Sequence, residues 1–243
     1  MKKDIGPIKE FVPFKDLSSV RNKVWKSQNQ SSLKDFVHST GIYRFTAKAI
    51  QDHPDLAKLP SPQLDSNAFK KFDNIVFFAE KPQDGNEYLR VLGLDKNRKR
   101  VYRFIRKDYI NDYKNLNKYK VIVPRANGSG ALGETLSTPL IGQPLIGHTG
   151  TFICIGSFAT QAEAEACLKY VKSKFARVLL GILKVTQHNT KDTWKYVPWQ
   201  DFSSSSDIDW TQSIPDIDRQ LYAKYGLSDE EIQFIESHVK EME

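Results

Sequence analysis

The stretch "TFICIGSFATQAEAEACLKYVKSKFARVLLGI", residues 151–182, constrains the fold more than any other part of the chain. Its first eight residues are mostly apolar, aromatic or β-branched, which predicts a buried strand. Thr160 and Glu163 follow at the spacing at which a hydroxyl and a carboxylate satisfy two otherwise unpaired amides at a helix start. Ala164, Cys167, Leu168, Val171, Phe175, Val178, Leu179 and Ile182 then recur at helical spacing, which predicts one long helix burying a full face. Lys169, Lys172, Lys174 and Arg177 fall on its other side and read as a solvated surface. A strand and a helix of this kind must be covered by further elements. The expected class is α+β: a twisted mixed β-sheet, a long packed helix and a C-terminal helical tail.

The remaining elements are read the same way. "YKVIVP" (119–124) predicts a strand, and "EYLRVLGL" and "RVYRFIRK", separated by "DKNR", predict a hairpin. "DNIVFFAE" (73–80) reads as a buried strand and "TWKYVP" as a short one ended by Pro198. An extended "IKEFVPF" leads into a helix with Leu17, Val20 and Val24 on one stripe. In the tail, Pro215 suits a first helical turn, Ile217, Leu221 and Tyr225 form the stripe, and Gly226 suits a stop. Ser228 and Glu231 form a second capping box before Ile232, Ile235 and Val239. The expected division is a lead-in over 1–35, a main domain over 36–199 and a helical segment over 200–243.

Charge is uneven. Residues 1–120 hold 25 Lys and Arg against 14 Asp and Glu, whereas the remainder holds 11 against 15. The densest run, residues 96–107, carries Lys96, Arg98, Lys99, Arg100, Arg103, Arg106 and Lys107 with no acid. Clustered cations of this kind point to a polyanion on one side of the molecule, or else to a solvated face. The acidic residues of the tail sit largely at expected helix starts, where the helix dipole favours them. Two cysteines, Cys154 and Cys167, are too few for a disulfide framework and suggest a reducing cytosol. The first residues lack the apolar core of a signal peptide, and no apolar stretch approaches the length of a membrane span.

"NGSGALG" (127–133) places Gly128, Gly130 and Gly133 at dinucleotide-turn spacing after a strand. The helix that should follow is missing, because Pro139, Gly142, Pro144 and Gly147 punctuate the next residues. No Lys-Ser/Thr pair follows to make a phosphate-binding P-loop, so no cofactor is expected here. Two uses remain: close backbone approach to a ligand with N–H groups free to donate, or a structural turn. Elsewhere the five histidines (38, 53, 148, 188 and 238) are scattered without metal-ligand spacing. Glu80 and Lys81 are adjacent where a magnesium nuclease would need them spaced. No catalytic residue and no metal site is therefore expected in this chain.

Residues 119–158, residues 163–189 and "WKYVPWQDFSSSSDIDWTQSIPDIDRQLYAKYGLSDEEIQFIE" together resemble one family. It is the C-terminal region of type II restriction-modification proteins that fuse an N6-adenine DNA methyltransferase to a target-recognition domain. The order of elements is also similar to that of type I specificity subunits. The methyltransferase motifs of that family are absent, so the resemblance implies a recognition piece of a larger enzyme, excised or truncated, and cytoplasmic. It implies double-stranded DNA as partner, together with a methyltransferase or endonuclease domain in cis or in trans. S-adenosylmethionine and Mg²⁺ would belong to that parent protein. Arg125, Asn127, Lys184, Gln187 and Asn189 would read bases from the loops "PRANGSG" and "KVTQHNTKD", with Arg125 suited to guanine and Gln187 and Asn189 to adenine. The glycines would let that loop approach DNA, and the 96–107 hairpin would grip phosphates. Two rival readings are a self-contained restriction endonuclease with an unrecognised metal site and an interaction module docking a methyltransferase through the acidic tail.

Overall fold

The computed structural model describes residues 12, 14–26 and 30–242. The extended "IKEFVPF" falls largely outside them. The class is α+β, but the strands divide between two sheets instead of forming one. An antiparallel sheet has the order β1-β7-β4-β5, from Val37–His38, Phe152–Phe158, Tyr119–Pro124 and Leu140–Gly142. A mixed sheet has the order β3-β2-β6, from Arg100–Arg106, Tyr88–Leu94 and Ile146–His148. The hairpin forms as expected, with Tyr88 opposite Arg106 and Leu94 opposite Arg100, while β6 runs parallel to β2.

Each sheet organises its own core. Around the antiparallel sheet pack α1 (Lys15–Val24), α4 (Gln161–Lys172), α5 (Lys174–Leu180), α6 (Ile214–Lys224) and α7 (Asp229–His238), burying Leu17, Val121, Ile155, Phe175, Leu221 and Ile235 in one cluster. That cluster draws on the lead-in, the main segment and the tail alike. Around the hairpin pack α2 (Ala47–Asp52) and α3 (Ala68–Phe72), with Phe45, Phe69, Phe77, Val91 and Ile105 at the centre. Leu92, Ile122, Ile146, Phe152 and Cys154 join the two sheets.

Three local expectations are corrected. The long helix breaks at Ser173, whose extended backbone (ψ 150°) ends α4 and whose hydroxyl accepts the Ala176 N–H of α5. Asp218 of α6 completes that second start by accepting the Lys174 and Phe175 N–H groups at 3.0 and 2.9 Å. Residues 73–80 form a turn with two isolated bridges, because Asn74 is left-handed (φ 59°) and the Ile75, Val76 and Phe77 amides all donate to the Phe72 carbonyl. "TWKYVP" is likewise no strand. Lys191–Trp194 is a 3-10 turn, and Thr193 spends both its amide and its hydroxyl on the Thr190 carbonyl. Both capping boxes form.

Candidate nucleic-acid interface

The hairpin's seven cations separate into two groups by position. Those on the strands and just beyond have partners within the chain. Arg100 donates to the Ser137 and Thr138 carbonyls, and burial lowers its pKa. Arg103 pairs with Asp73 at 3.0 Å and lies over Phe69. Arg106 pairs with Asp108 and covers Tyr109, and Lys107 pairs with Glu87. Lys96, Arg98 and Lys99 at the turn are exposed, with no ion pair or hydrogen bond from their head groups to any described residue. Of the seven cations expected to grip phosphates, the three at the turn are thus the ones without a partner among the described residues.

Lys96 and Arg98 line a groove of about 610 Å³ between the two sheets. Its hairpin-side wall adds Ser66, Asn67 and Lys70; the opposite wall supplies Arg125, Thr151 and His188. Lys70 and Arg125 also have no charge partner among the described residues. Among the described residues Asp95 is the one acid lining the groove, and its Oδ1 accepts from the amides of Asn97 and Lys99 at 2.9 and 2.8 Å. Four cations against this one carboxylate leave the concave space with a net positive charge. Lys70 was not legible as a site residue, since only the packing of Phe69 and Phe72 turns it toward the groove. His188 lies within "KVTQHNTKD", yet nothing in the spacing distinguishes it.

The two expected reading loops do meet. Ala126 bridges His188, the Asn127 N–H donates to the Gln187 carbonyl at 2.9 Å, and the Asn189 N–H donates to the Arg125 carbonyl at 2.6 Å. Within this ladder Arg125, Gln187 and Val185 are exposed, whereas Asn127, Lys184 and Asn189 are buried. Asn127 donates to the Thr135 carbonyl and Asn189 to that of Pro124. Lys184 donates to the Asn127 and Thr186 carbonyls and pairs with Glu134. These three side chains brace the loops and do not face solvent.

The glycines serve that brace. The N–H groups of Ser129 and Gly130 donate to the Glu134 carboxylate at 2.8 and 3.0 Å. Burial disfavours the charge of Glu134, but Lys184 and the two amides outweigh it and hold the carboxyl below its usual pKa. A Cβ at Gly128 would strike that carboxylate, one at Gly130 the backbone of Val185 and Thr186, and one at Gly133 the backbone of His238 and Val239. Of the two uses open to this loop, the structural turn is the one seen, since the Ser129 and Gly130 N–H groups already hold an internal anion. The next element after the turn is β5, not a helix. Arg177, expected on a solvated helix face, is 2% exposed. It donates to the carbonyls of Lys172, Gly133, Glu134 and Lys240, tying the glycine turn to the tail, and burial lowers its pKa to about 10.

No protein-family model, no curated protein and no solved structure matches this chain. Among the described residues no three His, Cys, Asp or Glu side chains converge as a metal-binding group, and no helix is long and apolar enough to cross a membrane.

Proposed function

We propose that this chain is a DNA target-recognition module of a restriction-modification enzyme, with the groove as its duplex-binding surface. The observation that carries the reading is the set of four cations without a partner among the described residues, Lys70, Lys96, Arg98 and Arg125, facing one another across two walls. Unpaired surface cations gathered in a concavity attract phosphates and release counterions on binding. The ladder beside the groove presents Arg125, Gln187 and His188 on a backbone fixed by Lys184 and Glu134, which suits base readout from a rigid mount. Catalysis, S-adenosylmethionine and Mg²⁺ belong in this reading to a methyltransferase or endonuclease partner domain.

The test is fluorescence anisotropy of the full chain with a pool of random duplexes across a salt series. Binding should weaken steeply with salt, the slope of log K against log salt being about −0.9 per phosphate contact. Arg125→Ala combined with Lys70→Ala should remove roughly two contacts from that slope. Salt-independent binding, or a slope unchanged in the double variant, would refute the groove. Sequence selection with Gln187→Ala should relax preference at one position and leave the salt slope alone.

A further inference from the structure

The turn that carries the groove's cations has a backbone shape suited to glycine and holds an arginine. The Asp95 carbonyl accepts the Arg98 N–H at 3.0 Å, and the Asp95 N–H donates to the Lys99 carbonyl at 2.9 Å. Between these two bonds Arg98 sits at φ 61°. This is the left-handed position that closes a short hairpin loop, where Cβ crowds the backbone and glycine is preferred. Asparagine or aspartate can offset the crowding with a local side-chain hydrogen bond. Arginine has no such compensation here, since its guanidinium meets no described partner. Among the described residues four that are not glycine have positive φ: Asn74, Arg98, Thr138 and Leu145. Of these, Arg98 alone lines the groove. The turn geometry also sorts its neighbours, because Lys96 and Arg98 line the groove and Lys99 does not.

We infer that Arg98 is a phosphate-binding arm of the groove, kept in a disfavoured backbone conformation because that conformation aims its guanidinium at the sugar–phosphate backbone of duplex DNA. The inference rests on the DNA-binding reading above and adds a specific trade: the residue that serves binding works against folding. Strained residues of this kind concentrate where a fold serves a ligand.

The trade makes Arg98→Gly informative, since folding and binding should move in opposite directions. The variant should melt roughly 2–4 °C higher than the wild type, the shift expected for a modest stabilisation in a chain of this size. It should bind duplex DNA about tenfold more weakly, the loss of one charged hydrogen-bonding group. Its salt slope should be shallower by about 0.9. Arg98→Lys retains both the strain and the charge and should keep the wild-type melting temperature and slope. Lys99→Ala should change neither. A higher-melting Arg98→Gly that binds as tightly as the wild type overturns this inference and leaves the groove standing on Lys70, Lys96 and Arg125. A variant that melts no higher overturns the trade. Wild-type protein without salt-dependent DNA binding overturns both readings.

Discussion

Lys96, Arg98 and Arg125 line an open groove with no partner among the described residues, whereas Lys184 and Arg177 are buried and spend their donors on carbonyls and on Glu134. The same residue types thus perform two opposite jobs. A buried cation must be satisfied on all sides, because desolvation otherwise removes its charge. An open cation keeps its hydration and its field, and contributes little to folding. Removing a cation should therefore act on stability where it is buried and on binding where it lines the groove.

The largest expected effect is at Lys184. Its side chain is 3% exposed and that of Glu134 is 16% exposed. Lys184→Met leaves Glu134 ionised in the glycine turn and strips two carbonyls of their donor. Denaturant unfolding should show a loss of about 3–5 kcal/mol, as for other buried pairs broken on one side. Adding Glu134→Gln should recover part of that, with a coupling of roughly 1–3 kcal/mol. A loss below about 1 kcal/mol would mean that the pair behaves like a surface bridge, and the distinction between the regions would fail.

The two regions also differ in how far they were legible in the sequence. The hairpin, both capping boxes and the apolar stripes are local patterns, and each forms where periodicity places it. The break at Ser173 was hidden because the Asp218 carboxylate that caps α5 lies 44 residues beyond Lys174 in the chain. Arg177 read as solvated because its neighbours on the helix are lysines. Its true partners are carbonyls contributed by Gly133, Glu134 and Lys240. The basic run 96–107 was visible as composition, but which of its cations are free depends largely on Asp73, Glu87 and the Ser137 and Thr138 carbonyls, which only tertiary structure brings alongside. For the same reason Lys70 entered the groove unannounced.

A second effect, of up to about 3 kcal/mol, concerns buried groups that titrate. Burial raises the Asp218 carboxyl to about 6, although the Phe175 and Lys174 N–H groups favour its charge. The folded state then holds that proton more tightly than the unfolded chain. The Asp218 contribution is fully present below about pH 4 and is lost as pH rises through 6. Burial lowers His38 and His148 to about 4, so their contribution has the opposite sign and grows from about pH 4 to 6.5. The two trends oppose each other in the wild type. Asp218→Asn keeps an acceptor for α5 and leaves the histidines unopposed. Its stability should fall more steeply than that of the wild type as pH drops from 6.5 to 4, measured by urea midpoints. An unchanged profile would show that Asp218 does not titrate in this range. The open cations of the groove should leave the profile unaltered.

The smallest effect expected is at the base of the hairpin, and it tests the border between the regions. Arg103 belongs to the same basic run as Arg98 but is paired with Asp73 and laid over Phe69. Its side chain is 17% exposed and that of Asp73 is 43% exposed, so the pair is screened by water. Arg103→Ala should lower stability by about 1 kcal/mol or less, part of it from lost packing of the aliphatic stem. The salt slope of DNA binding should stay at the wild-type value, because a guanidinium already neutralised by Asp73 and absent from the groove releases no counterion from a bound phosphate. If the slope instead becomes shallower by about 0.9, Arg103 must exchange Asp73 for a phosphate in the complex. The interface would then extend from the turn down the strand, and the pairing seen in the free protein would be a resting contact that DNA displaces.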